Sequence, residues 1–186
     1  VDLFPPAWIT EFERLHSHVP PSDPAAIHAE LTRALGRPPE EAFAQFDAEP
    51  MAAASIAQVH RAVLHDGTQV VVKVRRPGIE AKIEADLRIL DHLAKLIESE
   101  MPDWRRYQPV RMAGEFGRSL RRELDLVRES RNIDKFGRNF AQDETVHIPR
   151  VYWDYTSHMV NVQEEIRGIS GVDHKVLAEQ GLDAVT

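Results

Sequence analysis

Lys73 stands inside a run of valines, Val70-Val71-Val72-Lys73-Val74. A lysine in that setting projects a compact positive charge from one face of a strand, with Val71 beside it and Val70, Val72 and Val74 opposite. Ahead of it lies Ala52-Ala53-Ala54-Ser55-Ile56-Ala57-Gln58-Val59. A turn of small residues between two strands lets backbone N–H groups approach phosphate oxygens closely. Together the two features suit a phosphate-bearing ligand. The loop supplies donors, Lys73 supplies charge, and Val59 and Val71 floor the cleft. A tight packing contact beside a lysine whose stem covers a sheet edge fits the same residues.

A lysine in a partly buried cleft tends to lose its proton unless a carboxylate faces it. Glu123, Asp125 and Glu129 are the candidates. Asp125 and Glu129 are four apart and Asn132 three further, so they share one helical face, and Glu123 is rotated away from Glu129. Arginines crowd the same stretch, at 105, 106, 111, 118, 121, 122 and 128. The acids therefore also read as charge balance on a solvated helix, and the arginines as a solvated face or a surface for anionic lipid headgroups. The histidines show no metal-ligand spacing, and no metal site is expected. His16 and His18 fall on different helix faces, and His60 and His65 read as strand-surface residues.

The elements that must position these groups follow from periodicity. Trp8, Ile9, Phe12, Leu15 and Val19 have helical spacing between Pro5-Pro6 and Pro20-Pro21. Asp23 caps a second helix with Pro24 at its first position, and Gly36 closes it. Pro38-Pro39-Glu40 opens a short third helix through Phe46. Two β-rich runs, Ala57–Leu64 and Thr68–Arg75, flank Asp66-Gly67 and predict a hairpin. Two long helices follow, over 79–101 and 109–140. Their apolar stripes are Ile79, Ile83, Leu87, Leu90, Ala94, Ile97 and Met101, then Ala113, Phe116, Leu120, Leu124 and Val127. Strand character returns at Ile148–Tyr155 and Met159–Gln163, and Asp173 to Glu179 begins a further helix. The order implies an α+β domain around a small antiparallel sheet.

Composition sets the outer bounds. The 186 residues are 42% hydrophobic and 28% charged, which suits a folded domain. Without cysteine there is neither a disulfide framework nor a thiolate metal site. A net charge of −7 argues against a general nucleic-acid binder and against a uniformly cationic membrane surface. No apolar run is long enough to span a bilayer, and no signal peptide is visible. The chain opens at Val1 and ends at Thr186, and a piece of a longer protein is expected.

The order of Ala-rich loop, strand lysine, helix glutamate and two further strands is similar to a protein-kinase N-lobe. Kinases carry G-x-G-x-x-G-x-V before the lysine strand. Here Ala52, Ala54 and Ala57 take the glycine positions and Val59 the valine position. That substitution resembles the UbiB family of atypical kinase-like proteins, whose loop reads A-A-A-S. The family's E-x-D motif is matched by Glu123-Leu124-Asp125, six residues ahead of the helix glutamate at Glu129. Arg75-Arg76-Pro77-Gly78-Ile79, Asn132, Leu3-Phe4-Pro5 and Val19-Pro20-Pro21 carry the resemblance over nearly the whole chain.

The resemblance implies a protein-kinase-like N-lobe at 47–167, with the two long helices inserted in it. A helical family-specific extension would occupy 1–46, and a hinge exit and the start of a second lobe 168–186. Lys73 would pair with Glu129 and hold the α- and β-phosphates of ATP or ADP. The loop Ala52, Ala53, Ala54, Ser55, Ile56 and Ala57, with Val59 and Val71, would line the nucleotide. Glu123 and Asp125 would face a helical extension that covers the site. Main chain at Glu164 and Ile166 would meet the adenine edge. Alanines make positive φ costly, so the loop should be stiffer than a glycine loop.

The K-x-G-Q signature, a catalytic loop and a D-F-G-type aspartate are absent from the sequence. Ligands for Mg²⁺ would lie beyond residue 186, and the polypeptide alone is expected to be inactive. The implied role is an atypical kinase or ATPase in ubiquinone synthesis, with little ordinary protein phosphorylation. Implied partners are a nucleotide, ubiquinone-synthesis proteins and a membrane-lipid or quinone-precursor surface, at a cytoplasmic site peripheral to the inner membrane. A nucleotide sensor without chemistry, or a helical interaction module in which Lys73 and Glu129 form a structural ion pair, fits the same residues.

Overall fold

The computed structural model describes residues 19–169 together with Val176 and Glu179. Most of the helix expected over residues 5–19, and most of that expected from Asp173 to Glu179, lie outside them.

Helix α1 spans Pro24–Leu35. The Asp23 carboxylate accepts from the Ala25 N–H at its start, and Gly36 at φ 71° closes it. That is the sequence expectation, and the reason is local: a capping side chain, a proline whose missing N–H costs nothing there, and a glycine free to turn left-handed. Helix α2 is one turn, Pro39–Ala42. Gln45–Phe46, expected in that helix, instead form strand β1.

The sheet is antiparallel. Strand β2 is Ala52–Ala53, β3 Ala57–Val63, β4 Gln69–Arg75 and β5 Val160–Glu164, in the order β1-β3-β4-β5, with β2 also on β3. Residues 45–53 thus run along one edge of β3 and lose contact with it around Pro50, which has no N–H to offer the ladder. The expected β3–β4 hairpin is present, with Asp66 accepting from the Thr68 N–H and Gly67 at φ 86°. The strand expected over Ile148–Tyr155 is reduced to a bridge from Val151 to Gln163, followed by a 3₁₀ turn at Trp153–Tyr155. Pro149 cannot donate there, and Tyr152 and Arg150 reach β5 by one backbone bond each.

One face of the sheet is the core. Val70, Val72, Val74, Val160 and Val162 are fully buried and pack under Ile27, Leu31 and Phe43 from the N-terminal helices. His60 lies on this face and is fully buried, which corrects its reading as a strand-surface residue. It stacks on Phe46 and hydrogen-bonds at both ring nitrogens. Burial keeps it neutral by lowering its pKa. Its Nδ1 must donate, because its partner is the Asp47 carbonyl at 2.8 Å. Nε2 therefore accepts from the Gln58 amide at 2.8 Å, which turns Gln58 Oε1 to the Ser22 N–H at 2.9 Å.

Helix α3, Ile79–Glu100, and helix α4, Pro109–Glu123, form a hairpin joined by a 3₁₀ helix at Pro102–Tyr107. Ile83, Leu87 and Leu124 make a second small core, with Ile56 packed against it. The helix expected over 109–140 is broken. It ends at Glu123, and α5, Leu126–Asn139, begins after Asp125, whose carboxylate accepts from the Val127 N–H. An aspartate offers the backbone an alternative to continuing the helix, and here it becomes a cap. Phe116, read as core, is 55% exposed.

Candidate functional site

The second face of the sheet carries the candidate site. Val59, Lys73 and Asn161 lie opposite one another across β3, β4 and β5, and Arg61, Val71 and Gln163 form the next row. Cross-strand partners share a face, so Lys73 rises between Val59 and Asn161 with Val71 beside it. Helix α5 packs on β5, and the Leu126 N–H donates to the His158 carbonyl at 3.2 Å. That docking brings Glu129 over Lys73.

Lys73 Nζ donates to both carboxylate oxygens of Glu129, at 2.8 and 2.7 Å. The two side chains keep 30% and 40% of their exposure. The pair is therefore wet enough for a ligand to reach it and too exposed to contribute much to stability on its own. Asp125 sits one turn ahead of Glu129 as the α5 cap. Glu123 ends α4, exposed, on the far side of the break. The two acids of the E-x-D motif thus end one helix and cap the next, so the single helical face expected for Asp125, Glu129 and Asn132 is replaced by a break just ahead of Glu129.

The Ala-rich loop is a tight turn. Ala52 and Ala53 pair with Val59 and Gln58, and the Ala54 N–H donates to the Ala57 carbonyl at 2.8 Å. Ser55 and Ile56 form its tip, and neither takes a positive φ; among the described residues, Gln108 is the sole non-glycine that does. The alanines thus hold a turn that avoids the left-handed region glycines would reach. Ile56 anchors the tip in the second core. The Ala54 and Ile56 carbonyls are both taken by Arg76, at 2.8 and 2.9 Å. Among the described residues, the N–H groups of Ser55 and Ile56 have no hydrogen-bond partner. Two unpaired donors beside a lysine strand suit an anion.

Sequence reasoning missed Arg75 and Arg76, which it read only as part of a motif. Arg75 is buried, donating to the Leu124 carbonyl at 3.2 Å and to Glu80 at 2.8 Å. Arg76 reaches the loop and the segment ahead of α1. The segment read as the hinge, Glu164 to Ile166, lies at and just past the end of β5. The Glu164 N–H is taken by the Arg150 carbonyl, and its carboxylate accepts from His147 and the Arg150 N–H. Glu165 pairs with Arg61. Ile166 is exposed at the end of β5. Among the described residues no cluster of carboxylates and histidines is arranged to hold a metal ion.

The ABC1 atypical kinase-like domain matches residues 14–186. The chain belongs to that family. Similar proteins are those named "Probable protein kinase UbiB" from Pseudomonas putida, 42% identical over 98% of this chain, and from Sodalis glossinidius, 41% identical over 97%. The chain spans about a third of their length, 34% and 35% respectively. Among solved structures, the complex of Rv3197 with erythromycin from Mycobacterium tuberculosis is 27% identical and has a TM-score of 0.70, covering 90% of this chain and 41% of that one. The fold is thus a kinase-like N-lobe with a helical extension behind the sheet and an inserted helical hairpin in front of α5.

Proposed function

We propose that this chain is the nucleotide-binding lobe of an atypical kinase or ATPase of the ABC1 family, which in the full-length protein supports synthesis of an isoprenoid quinone such as ubiquinone. The observation that carries the reading is the Lys73–Glu129 ion pair on a strand whose neighbour β3 begins at a turn with two unpaired N–H donors. Lys73 would hold the phosphates of ATP or ADP and Glu129 would hold Lys73 in place. Ser55 and Ile56 would bind the phosphate oxygens over the floor of Val59 and Val71. Mg²⁺, when bound, would draw its ligands from beyond residue 186 and supply the charge neutralisation that phosphoryl transfer needs. The adenine would meet main chain at Glu164 and Ile166, with the Glu164 carbonyl as acceptor, since its N–H already donates to the Arg150 carbonyl.

A thermal-shift titration with Mg-ADP and Mg-ATP tests this reading. Ligand at a hundred times its Kd adds about 2.7 kcal/mol to the native state. A shift in the wild type that disappears in Lys73→Ala supports it, and an equal shift in both removes nucleotide from this site.

A second surface bears on the lipid or quinone-precursor partner. The α3–α4 hairpin forms a groove of about 870 Å³ lined by Leu93, Ile97, Trp104, Tyr107, Met112 and Phe116 among others. Trp104, Tyr107 and Met112 are each more than half exposed, Arg106 lines the groove over the Tyr107 ring, and Arg105 and Arg111 are their neighbours in sequence. Aromatic and arginine side chains together suit the headgroup region of a membrane. Among the described residues no helix is long and apolar enough to cross a bilayer. Co-sedimentation with anionic vesicles that is lost in Trp104→Ser with Tyr107→Ser supports it, and retention in that variant refutes it.

A further inference from the structure

Arg76 lies three residues past Lys73, and its bonds go to two distant parts of the chain. Its main-chain N–H donates to the Ile56 carbonyl at 2.9 Å, and Nε donates to the Ala54 carbonyl at 2.8 Å. The remaining guanidinium nitrogens donate to the Pro20 carbonyl at 2.7 Å and the Ser22 hydroxyl at 3.3 Å. Ser22 is held in turn by Gln58 on β3. One side chain therefore bridges the loop and the segment ahead of α1.

The fork of a guanidinium is planar and rigid, so two partners bonded to it are fixed relative to each other. The peptide unit is planar as well, and in the trans form its C=O and N–H point in opposite directions. Holding the Ala54 carbonyl therefore fixes the direction of the Ser55 N–H, which belongs to the same peptide plane. Ser55 carries one of the two unpaired donors of the turn. Ile56, packed into the second core, prevents the tip from swinging as a unit.

We propose that Arg76 is a positioning residue for the nucleotide phosphates. It aims the Ser55 N–H by holding the Ala54 carbonyl, and through Pro20 and Ser22 it makes that aim depend on the segment ahead of α1. The inference rests on the nucleotide site proposed at Lys73.

The test compares the wild type, Arg76→Ala, Arg76→Lys and Lys73→Ala in the full-length protein, titrated with Mg-ADP and with adenosine. Binding of ADP falls about tenfold in Arg76→Ala, the size of one lost charge-assisted contact, while adenosine binding is unchanged. Arg76→Lys recovers little, because an ammonium cannot bridge the two carbonyls in one plane. Hydrogen exchange over residues 52–59 accelerates in Arg76→Ala without nucleotide, and exchange in α1 does not. Equal ADP affinity in the wild type and Arg76→Ala, with Lys73→Ala impaired, overturns the role of Arg76 and leaves the site standing. Parallel losses of ADP and adenosine also overturn it, as general damage to the fold. Failure of the wild type to bind ADP overturns the site and the inference together.

Discussion

The buried guanidinium of Arg75 donates to the carbonyl of Leu124, 49 residues away, at 3.2 Å. Leu124 lies at the break between α4 and α5, so this bond links the end of the lysine strand to the turn that begins the glutamate helix. Arg76, the next residue, performs the corresponding task for the Ala-rich loop. Adjacent side chains past Lys73 thus hold both polar borders of the cleft.

Arg75→Met removes that partner and leaves a buried carbonyl unpaired. The cost is roughly 1–3 kcal/mol of stability. Denaturant midpoints measure it, and hydrogen exchange should accelerate first over residues 123–127. An unchanged midpoint would mean the break is held by packing alone.

Glu129→Gln separates a binding role from a structural one. The ion pair is partly exposed, so its loss should cost under about 1 kcal/mol. Nucleotide affinity should nevertheless fall, because an uncharged amide no longer holds Lys73 between Val59 and Asn161. A stability loss well above that figure with no change in nucleotide affinity would favour the structural ion pair of an interaction module.

His60 gives a pH dependence of definite sign. Burial lowers its pKa in the folded chain, whereas in the unfolded chain it titrates near 6.5. Between the two values the unfolded state binds the proton and the native state does not. This contribution is therefore intact above about pH 6.5 and is lost progressively as pH falls. Protonation also requires Nε2 to donate, which breaks the bond from Gln58 and frees Ser22. Stability measured from pH 7.5 to 5.5 should decline, and His60→Gln should flatten the part of the slope that this residue supplies. Equal slopes in the two proteins would refute the assignment.

Much of the fold was legible because its signals were local. Asp23, Pro24 and Gly36 bounded α1, and Asp66-Gly67 marked the hairpin. The valine alternation around Lys73 assigned each face of β4 correctly. What the sequence hid was set by distant partners. His60 looked like a surface residue because nothing nearby shows that Phe46 and the N-terminal helices cover it. Leu124 and Val127 continued an apolar stripe across the break, which becomes visible only once Arg75 and the His158 carbonyl claim the adjoining backbone groups. At the site, the E-x-D and loop motifs lie on segments that border the lysine strand and the glutamate helix. They did not reveal the arginines that bond to those segments, since an arginine's reach is not written in its neighbours. Gln45–Phe46 fell to the sheet for a related reason: β3 offered them an edge that no helical propensity could match.

The most direct test of a nucleotide at Lys73 is chemical. An acyl-phosphate derivative of ATP transfers its acyl group to whichever lysine amine stands beside the phosphates. Peptide mapping of the labelled full-length protein should place the acyl group on Lys73 rather than Lys82, Lys95 or Lys135, with labelling suppressed by excess ADP. Labelling spread over the surface lysines, with Lys73 unmodified and no protection by ADP, would contradict the account.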